Sequence, residues 1–144
     1  MNATQAAATL DDVRLAIFRQ HTQITQLADE LETQAIAVVE SGAHDSGQSK
    51  PLTVALDLLG THVVRHLDYE ERHLPKWLPA LGTDRDSDTS VVRDHSAQRS
   101  RLAGLLRDRD VFADQRTVAR EVLAFVHGLR KDMADEELEV RALR

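Results

Sequence analysis

His66 and Glu70 stand four residues apart in the run His62-Val63-Val64-Arg65-His66-Leu67-Asp68-Tyr69-Glu70-Glu71-Arg72-His73-Leu74-Pro75. On a helix that spacing turns both side chains the same way, and the apolar neighbours turn that face toward a core. A neutral imidazole and an ionised carboxylate are ligands for iron, manganese or zinc. Burying them with neither a cation nor a polar partner would be costly. A second stretch carries the same pattern: an offset of 66 residues lays Val63, His66, Glu70, Glu71 and Leu74 over Leu129, Asp132, Glu136, Glu137 and Val140. An offset of 74 lays Arg19-Gln20-His21 over Arg93-Asp94-His95.

Each half of the chain therefore offers a helix with one inward His, followed by a helix with an inward ligand pair. Packed with pseudo-twofold symmetry, the halves would bring His21, His66, Glu70, His95, Asp132 and Glu136 to one place. A lone inward His is more often a hydrogen-bonded core residue than a ligand. The conjunction shifts that balance, because two inward carboxylate pairs in one small core repel each other unless protonated or bound to cations. His62, one turn before His66, reads as a partner behind the ligands or a reserve ligand. His127 is a second reserve, about 100° or more off the Phe125, Leu129 and Asp132 line at roughly 100° per residue. Glu70-x-x-His73 resembles a di-iron pair, but its counterpart is Glu136-x-x-Glu139, which lacks the His. Glu71 and Glu137 reach the edge of the site or a solvated face, and His44 reads as a solvated loop residue.

The elements that must position these groups follow from periodicity and punctuation. A first helix is expected from Thr9, an N-cap followed by Asp11 and Asp12, to Glu40, with Leu10, Ile17, His21, Ile24, Leu27, Leu31 and Val38 on one stripe. Residues 41–50, rich in Gly and Ser, read as a loop. Pro51 suits the first turn of a second helix bearing Leu52, Ala55, Leu59, His62, His66, Glu70 and His73, kinked by Pro75 and ending between Trp77 and Leu81. A polar linker over 82–88 leads to a third helix from Thr89 to Arg107, with Val91, Val92, His95, Leu102, Leu105 and Leu106 inward. The fourth runs from Asp114 to the C-terminus, with Val118, Val122, Phe125, Leu129, Asp132, Glu136 and Val140 on one face. No segment alternates with period two. The expected fold is all-α, an antiparallel up-down four-helix bundle whose core holds a site.

Composition narrows the function. The chain's 144 residues suit one domain, residues 1–144, and 42% hydrophobic residues suffice for one core. Only five residues are Phe, Tyr or Trp, so Leu, Val and Ala must do most of the packing. A formal charge of −6 argues against nucleic acid and anionic membrane as partners. The absence of Cys removes thiolate metal sites and Cys nucleophiles and fits a cytoplasmic location. There is no basic n-region with an apolar core at the N-terminus, and no run approaches the ~20 apolar residues that span a bilayer. No phosphate-binding glycine loop or nucleophile elbow is present.

The run from His66 through Glu70, Glu71 and Leu74 to Pro75, with single His residues at positions 21 and 95, resembles the hemerythrin-like or HHE cation-binding family over nearly the whole chain. The resemblance implies an antiparallel four-helix bundle with a di-iron centre, two Fe bridged by oxo and carboxylate groups, or Mn or Zn in their place. It implies ligation by His21, His66, Glu70 and His95, with Glu136 as the fourth-helix carboxylate and Glu70 and Glu136 as the bridges. The sequence departs from the family at Asp132, where a fourth-helix His is expected, and at Arg99, where some members carry a second third-helix His. Asp132 can still ligate as a harder oxygen donor, whereas Arg99 cannot. The implied activity is binding of, or reaction with, dioxygen, peroxide or nitric oxide, with oxidase or peroxidase-like chemistry favoured by the vacated His positions. An iron- or oxygen-responsive regulatory or buffering domain is the second reading. A metal-free scaffold, in which Asp132 pairs with an Arg such as Arg99, is the third.

Overall fold

Thr9 starts the first helix as expected. Its Oγ1 accepts the Asp12 N–H at 3.1 Å, and the Asp12 carboxylate accepts the Thr9 N–H at 3.2 Å, a reciprocal cap over the first turn. The computed structural model describes residues 8–41, 46–78, 90–111 and 115–144. These form four α-helices, α1 (Leu10–Ser41), α2 (Ser46–His73), α3 (Ser90–Val111) and α4 (Gln115–Ala142), with a 3-10 turn at Leu74–Lys76. No strand occurs among the described residues.

Two boundaries differ from the sequence expectation. α2 begins at Ser46, so residues 46–50 are helical and Pro51 falls after the first turn. The weak helix propensity of Gly and Ser is a bias that tertiary context overrides. At the other end Pro75 stops the α-helix rather than kinking it. A prolyl ring has no N–H and clashes with the preceding turn, so α2 ends at His73 and the chain tightens into Leu74–Lys76. The Trp77 and Leu78 N–H groups then both donate to the Leu74 carbonyl, at 2.9 and 2.7 Å. α3 continues to Val111, past the expected Arg107. His44, the linker at 82–88, Thr89, Asp114 and the side chains of Val91 and Val92 lie outside the described residues.

The helices pack α1 on α2, α2 on α3, α3 on α4 and α4 on α1, a closed up-down square. Val13 and Ile17 near the start of α1 cluster with Leu74 after α2 and Val140 near the end of α4. Val38, Leu52, Leu105 and Val118 share the opposite cluster, so neighbouring helices run antiparallel. Gly60 permits the approach of α3 to α2, since a Cβ there would meet Leu102 Cδ1 at 3.3 Å. Arg14 ties α1 to the end of α4: its Nε donates to the Val140 carbonyl at 3.0 Å, and its Nη2 donates to the Leu143 carbonyl. No described helix is long and apolar enough to cross a membrane.

The apolar core comes in two parts. The larger cluster takes in Ile24, Leu31, Leu59, Val63, Leu67, Phe125 and Met133, and the smaller takes in Val13, Ile17, Leu74 and Val140. Between Ile17 and Ile24 sits His21, and between Met133 and Val140 sits Glu136, both buried. A polar layer therefore divides the core.

Candidate metal centre

That layer is supplied by all four helices. His21 comes from the middle of α1, His66 and Glu70 from successive turns of α2, His95 from the first turns of α3, and Glu136 from the last third of α4. Each lies on the apolar stripe of its helix, so the packing that buries Ile17, Val63, Leu102 and Leu129 also carries the polar groups inward. Glu70 is 0% exposed, a burial that a carboxylate tolerates only with strong partners.

The three imidazoles aim Nε2 at the two carboxylates. Glu136 Oε1 lies 2.8 Å from His21 Nε2 and 3.2 Å from His66 Nε2, while its Oε2 lies 3.3 Å from His95 Nε2. Glu70 Oε1 lies 2.8 Å from His66 Nε2 and 3.0 Å from His95 Nε2. Two donor groups able to hold a metal ion result, His21 with His66 and Glu136, and Glu70 with His95 and Glu136. Glu136 belongs to both, and Glu70 touches an imidazole of each.

Two of the three outer nitrogens have partners of their own. His66 Nδ1–H donates to Gln20 Oε1 at 2.6 Å, and His21 Nδ1 faces Glu137 Oε1 at 3.3 Å. His95 Nδ1 is 3.7 Å from Glu71 Oε1, an ion-pair distance too long for a hydrogen bond. A Nδ1–H held by an outer oxygen selects the tautomer whose Nε2 lone pair faces inward, the arrangement that supports metal-ligating imidazoles.

The electrostatics match a site meant for cations. Burial alone would lower the pKa of both imidazoles, yet hydrogen bonds with Glu136 and Glu70 and the charges of those carboxylates raise His66 to about 9 and His95 to about 10. Burial raises the Glu70 pKa, and the Glu136 charge adds to the rise. Glu136 goes the other way: burial opposes ionisation, but hydrogen bonds from His21, His66 and His95 hold it well below the usual carboxylate range. In the metal-free chain, protons take up the charge that a cation would neutralise. Glu70 Oε2, buried and without a hydrogen-bond partner among the described residues, is a lone pair the protein leaves unused. The donor set thus fits a pair of metal ions.

Five of the six residues singled out from the sequence converge, and the sixth stands apart. Asp132 is buried at 9% exposure, but its Oδ2 accepts from Gln98 Nε2 and Arg101 Nη2, both at 3.2 Å, and it belongs to neither donor group. Arg99 is not its partner. That guanidinium bonds Asp68 at 2.9 Å and Glu71 at 2.9 Å on the outer face of α2. The reserve ligands are elsewhere: His62 turns Nδ1 to the Leu58 carbonyl at 3.0 Å, and His127 is exposed. His73 stacks against Tyr69 with centroids 4.3 Å apart and joins neither donor group. Gln20, Gln98 and Arg101 were not singled out from the sequence. Gln20 adjoins His21 and Gln98 follows His95 by three residues, so adjacency was their signal, whereas Arg101 had none.

Among known proteins, the family model described as hemerythrin HHE cation binding domain matches residues 15–143. No curated protein and no solved structure matches the chain.

Proposed function

The chain belongs to the hemerythrin HHE cation-binding family, and from that premise we propose that it is a non-heme di-iron protein that binds or reacts with dioxygen, peroxide or nitric oxide. The observation that carries the reading is the sharing of carboxylates. Glu136 stands in both donor groups and Glu70 Oε1 contacts imidazoles from both, the disposition of two bridging carboxylates. Imidazole with carboxylate suits iron or manganese better than the softer thiolate metals, and the chain has no Cys to offer. Bound iron would supply the electrons for reduction of dioxygen or peroxide, or an affinity for nitric oxide.

The protein's own residues set the terms. Each position has three protein donors, two of them imidazoles on the His21 side and one on the His95 side, so the His95 position is the more oxygen-rich of the two. That asymmetry favours oxidase or peroxidase-like reaction over reversible carriage, which requires a closed apolar pocket around a single open position. The apolar clusters above and below the layer exclude bulk water from it. The absence of Cys, and of a membrane-crossing helix among the described residues, is compatible with work in the cytoplasm.

The Arg101–Asp132 pair favours the metal-free scaffold reading, in which Asp132 is neutralised by an arginine. Against it stand five other convergent donors and the unpartnered Glu70 Oε2, which a scaffold has no reason to bury. Aerobic reconstitution with ferrous iron distinguishes the two. About two irons per chain and the near-ultraviolet absorption of a bridged ferric pair are expected. A chain that takes up no iron under those conditions is a scaffold, and the proposal fails.

A further inference from the structure

Asp132 sits one helical turn from Glu136 on α4, and its partner Gln98 sits one turn from His95 on α3. The pair therefore forms the layer next to the donors, close enough in sequence and depth for Asp132 to be drawn toward a cation. What holds it back is on the same oxygen: Gln98 Nε2 and Arg101 Nη2 both donate to Oδ2. An amide can hydrogen-bond a carboxylate but cannot neutralise it, so the guanidinium supplies the charge.

A second, independent feature makes room for that guanidinium. A Cβ at Gly128 would lie 2.6 Å from Arg101 Nη1 and 3.6 Å from its Cζ, so a side chain there would push the end of the guanidinium aside from its present place. Arg101 Nε also contacts the Ala97 carbonyl at 3.4 Å, fixing the approach. Removing Arg101 would leave Asp132 a buried carboxylate with one neutral partner, a state relieved by moving onto a metal ion.

We propose that Arg101, given its place by Gly128, is a positioning residue that holds Asp132 out of the donor set and keeps a coordination position beside His95 and Glu136 open for a small exogenous ligand. The proposal rests on the metal reading above. Released, Asp132 becomes an additional anionic donor to the second ion and competes with whatever anion would bind there.

The test is a Co(II) titration of the metal-free full chain, followed by an azide titration of the loaded protein, both read by visible absorption. Arg101→Met keeps the stem and removes the charge; with a side chain 45% exposed, the residue is not needed to fill the core. The second Co(II) should bind about tenfold more tightly in this variant and azide about tenfold more weakly, the scale expected for residues behind metal ligands. Gly128→Ala, which displaces the guanidinium while retaining it, should shift both constants the same way. Adding Asp132→Asn to Arg101→Met should return both toward the wild-type values. Wild-type chain that binds two Co(II) while Arg101→Met and Gly128→Ala leave both constants unchanged would overturn this proposal alone. Wild-type chain that binds no Co(II) would overturn the metal reading and this proposal with it.

Discussion

His21 and His66, from different helices and 45 residues apart, meet Nε2 to Nε2 at 3.1 Å, with both rings buried. Two imidazole nitrogens at that separation can share a proton or face one cation; two bare lone pairs would repel. Glu136 Oε1 lies within 3.2 Å of both, which supplies the negative charge either arrangement needs. The contact lies within one donor group that could hold a metal ion, while His95 with Glu70 and Glu136 makes the other.

The shared carboxylate gives the first prediction. Glu136 serves both donor groups and His21 serves one, so the two substitutions should differ in metal count rather than in degree. Glu136→Gln, nearly isosteric but uncharged, is expected to leave almost no bound iron. His21→Ala should keep about one iron per chain, since the other position retains its donors. Metal analysis of both variants after identical reconstitution checks this. Equal loss in the two would mean that the positions are not separable as drawn.

The second concerns pH. His66 and His95, raised to about 9 and about 10 in the metal-free chain, carry protons at neutral pH that a metal must displace from Nε2. Metal uptake at pH 7 should therefore release protons, and affinity should rise with pH up to about 9 to 10. Without metal, the same groups stabilise the fold when protonated, because their folded pKa values exceed the ordinary value near 6.5. That contribution is complete below pH 6.5 and is lost as pH rises through about 9 and 10. Melting curves of metal-free chain at pH 6.5 and pH 10 should show the lower Tm at the higher pH, and a dilute-buffer titration with metal should acidify the solution.

Much of this site was legible in the sequence because it repeats. The offset that lays His66 and Glu70 over Asp132 and Glu136 reflects two helices presenting the same face to one core, and helical spacing predicts burial of all four. Spacing could not say that Asp132 would be captured by Arg101, since that contact joins residues 31 apart on different helices and depends on the missing side chain at Gly128. The division of the core into two clusters was hidden for a similar reason: the stripe on each helix looks continuous, and only packing reveals that His21, Glu70 and Glu136 fall at one level. Pro75 was misjudged locally, as a kink and a stop have the same sequence signature and differ in what the chain does afterwards.

Removing the metal should cost stability. A ligand that binds only the folded chain stabilises it by about 4 kcal/mol when free metal is about a thousand times Kd. For a chain of this size that corresponds to a Tm lowered on the order of 10 °C on chelation. Differential scanning calorimetry with and without a chelator measures it. Glu136→Gln should show almost no such difference, because its carboxylate serves both donor groups. An equal shift in wild type and Glu136→Gln would place the stabilising ion somewhere else.

Arg14 gives a prediction separate from the metal. Its guanidinium reaches 126 residues along the chain to the Val140 carbonyl and bonds the Leu143 carbonyl as well, adding charged donors at the end of α4, where the Val140 carbonyl also accepts the Leu143 N–H at a long 3.3 Å. A cation there also opposes the negative end of the helix dipole. Arg14→Met should lower unfolding free energy by about 1–2 kcal/mol, the scale of a charged hydrogen bond at a partly buried helix end. Because His21 lies two turns further along α1, the iron content of the variant should match that of wild type. Urea unfolding of the metal-free variant measures the first and metal analysis the second. A variant that lost iron without losing stability would tie Arg14 to the site rather than to the closing of α1 against α4.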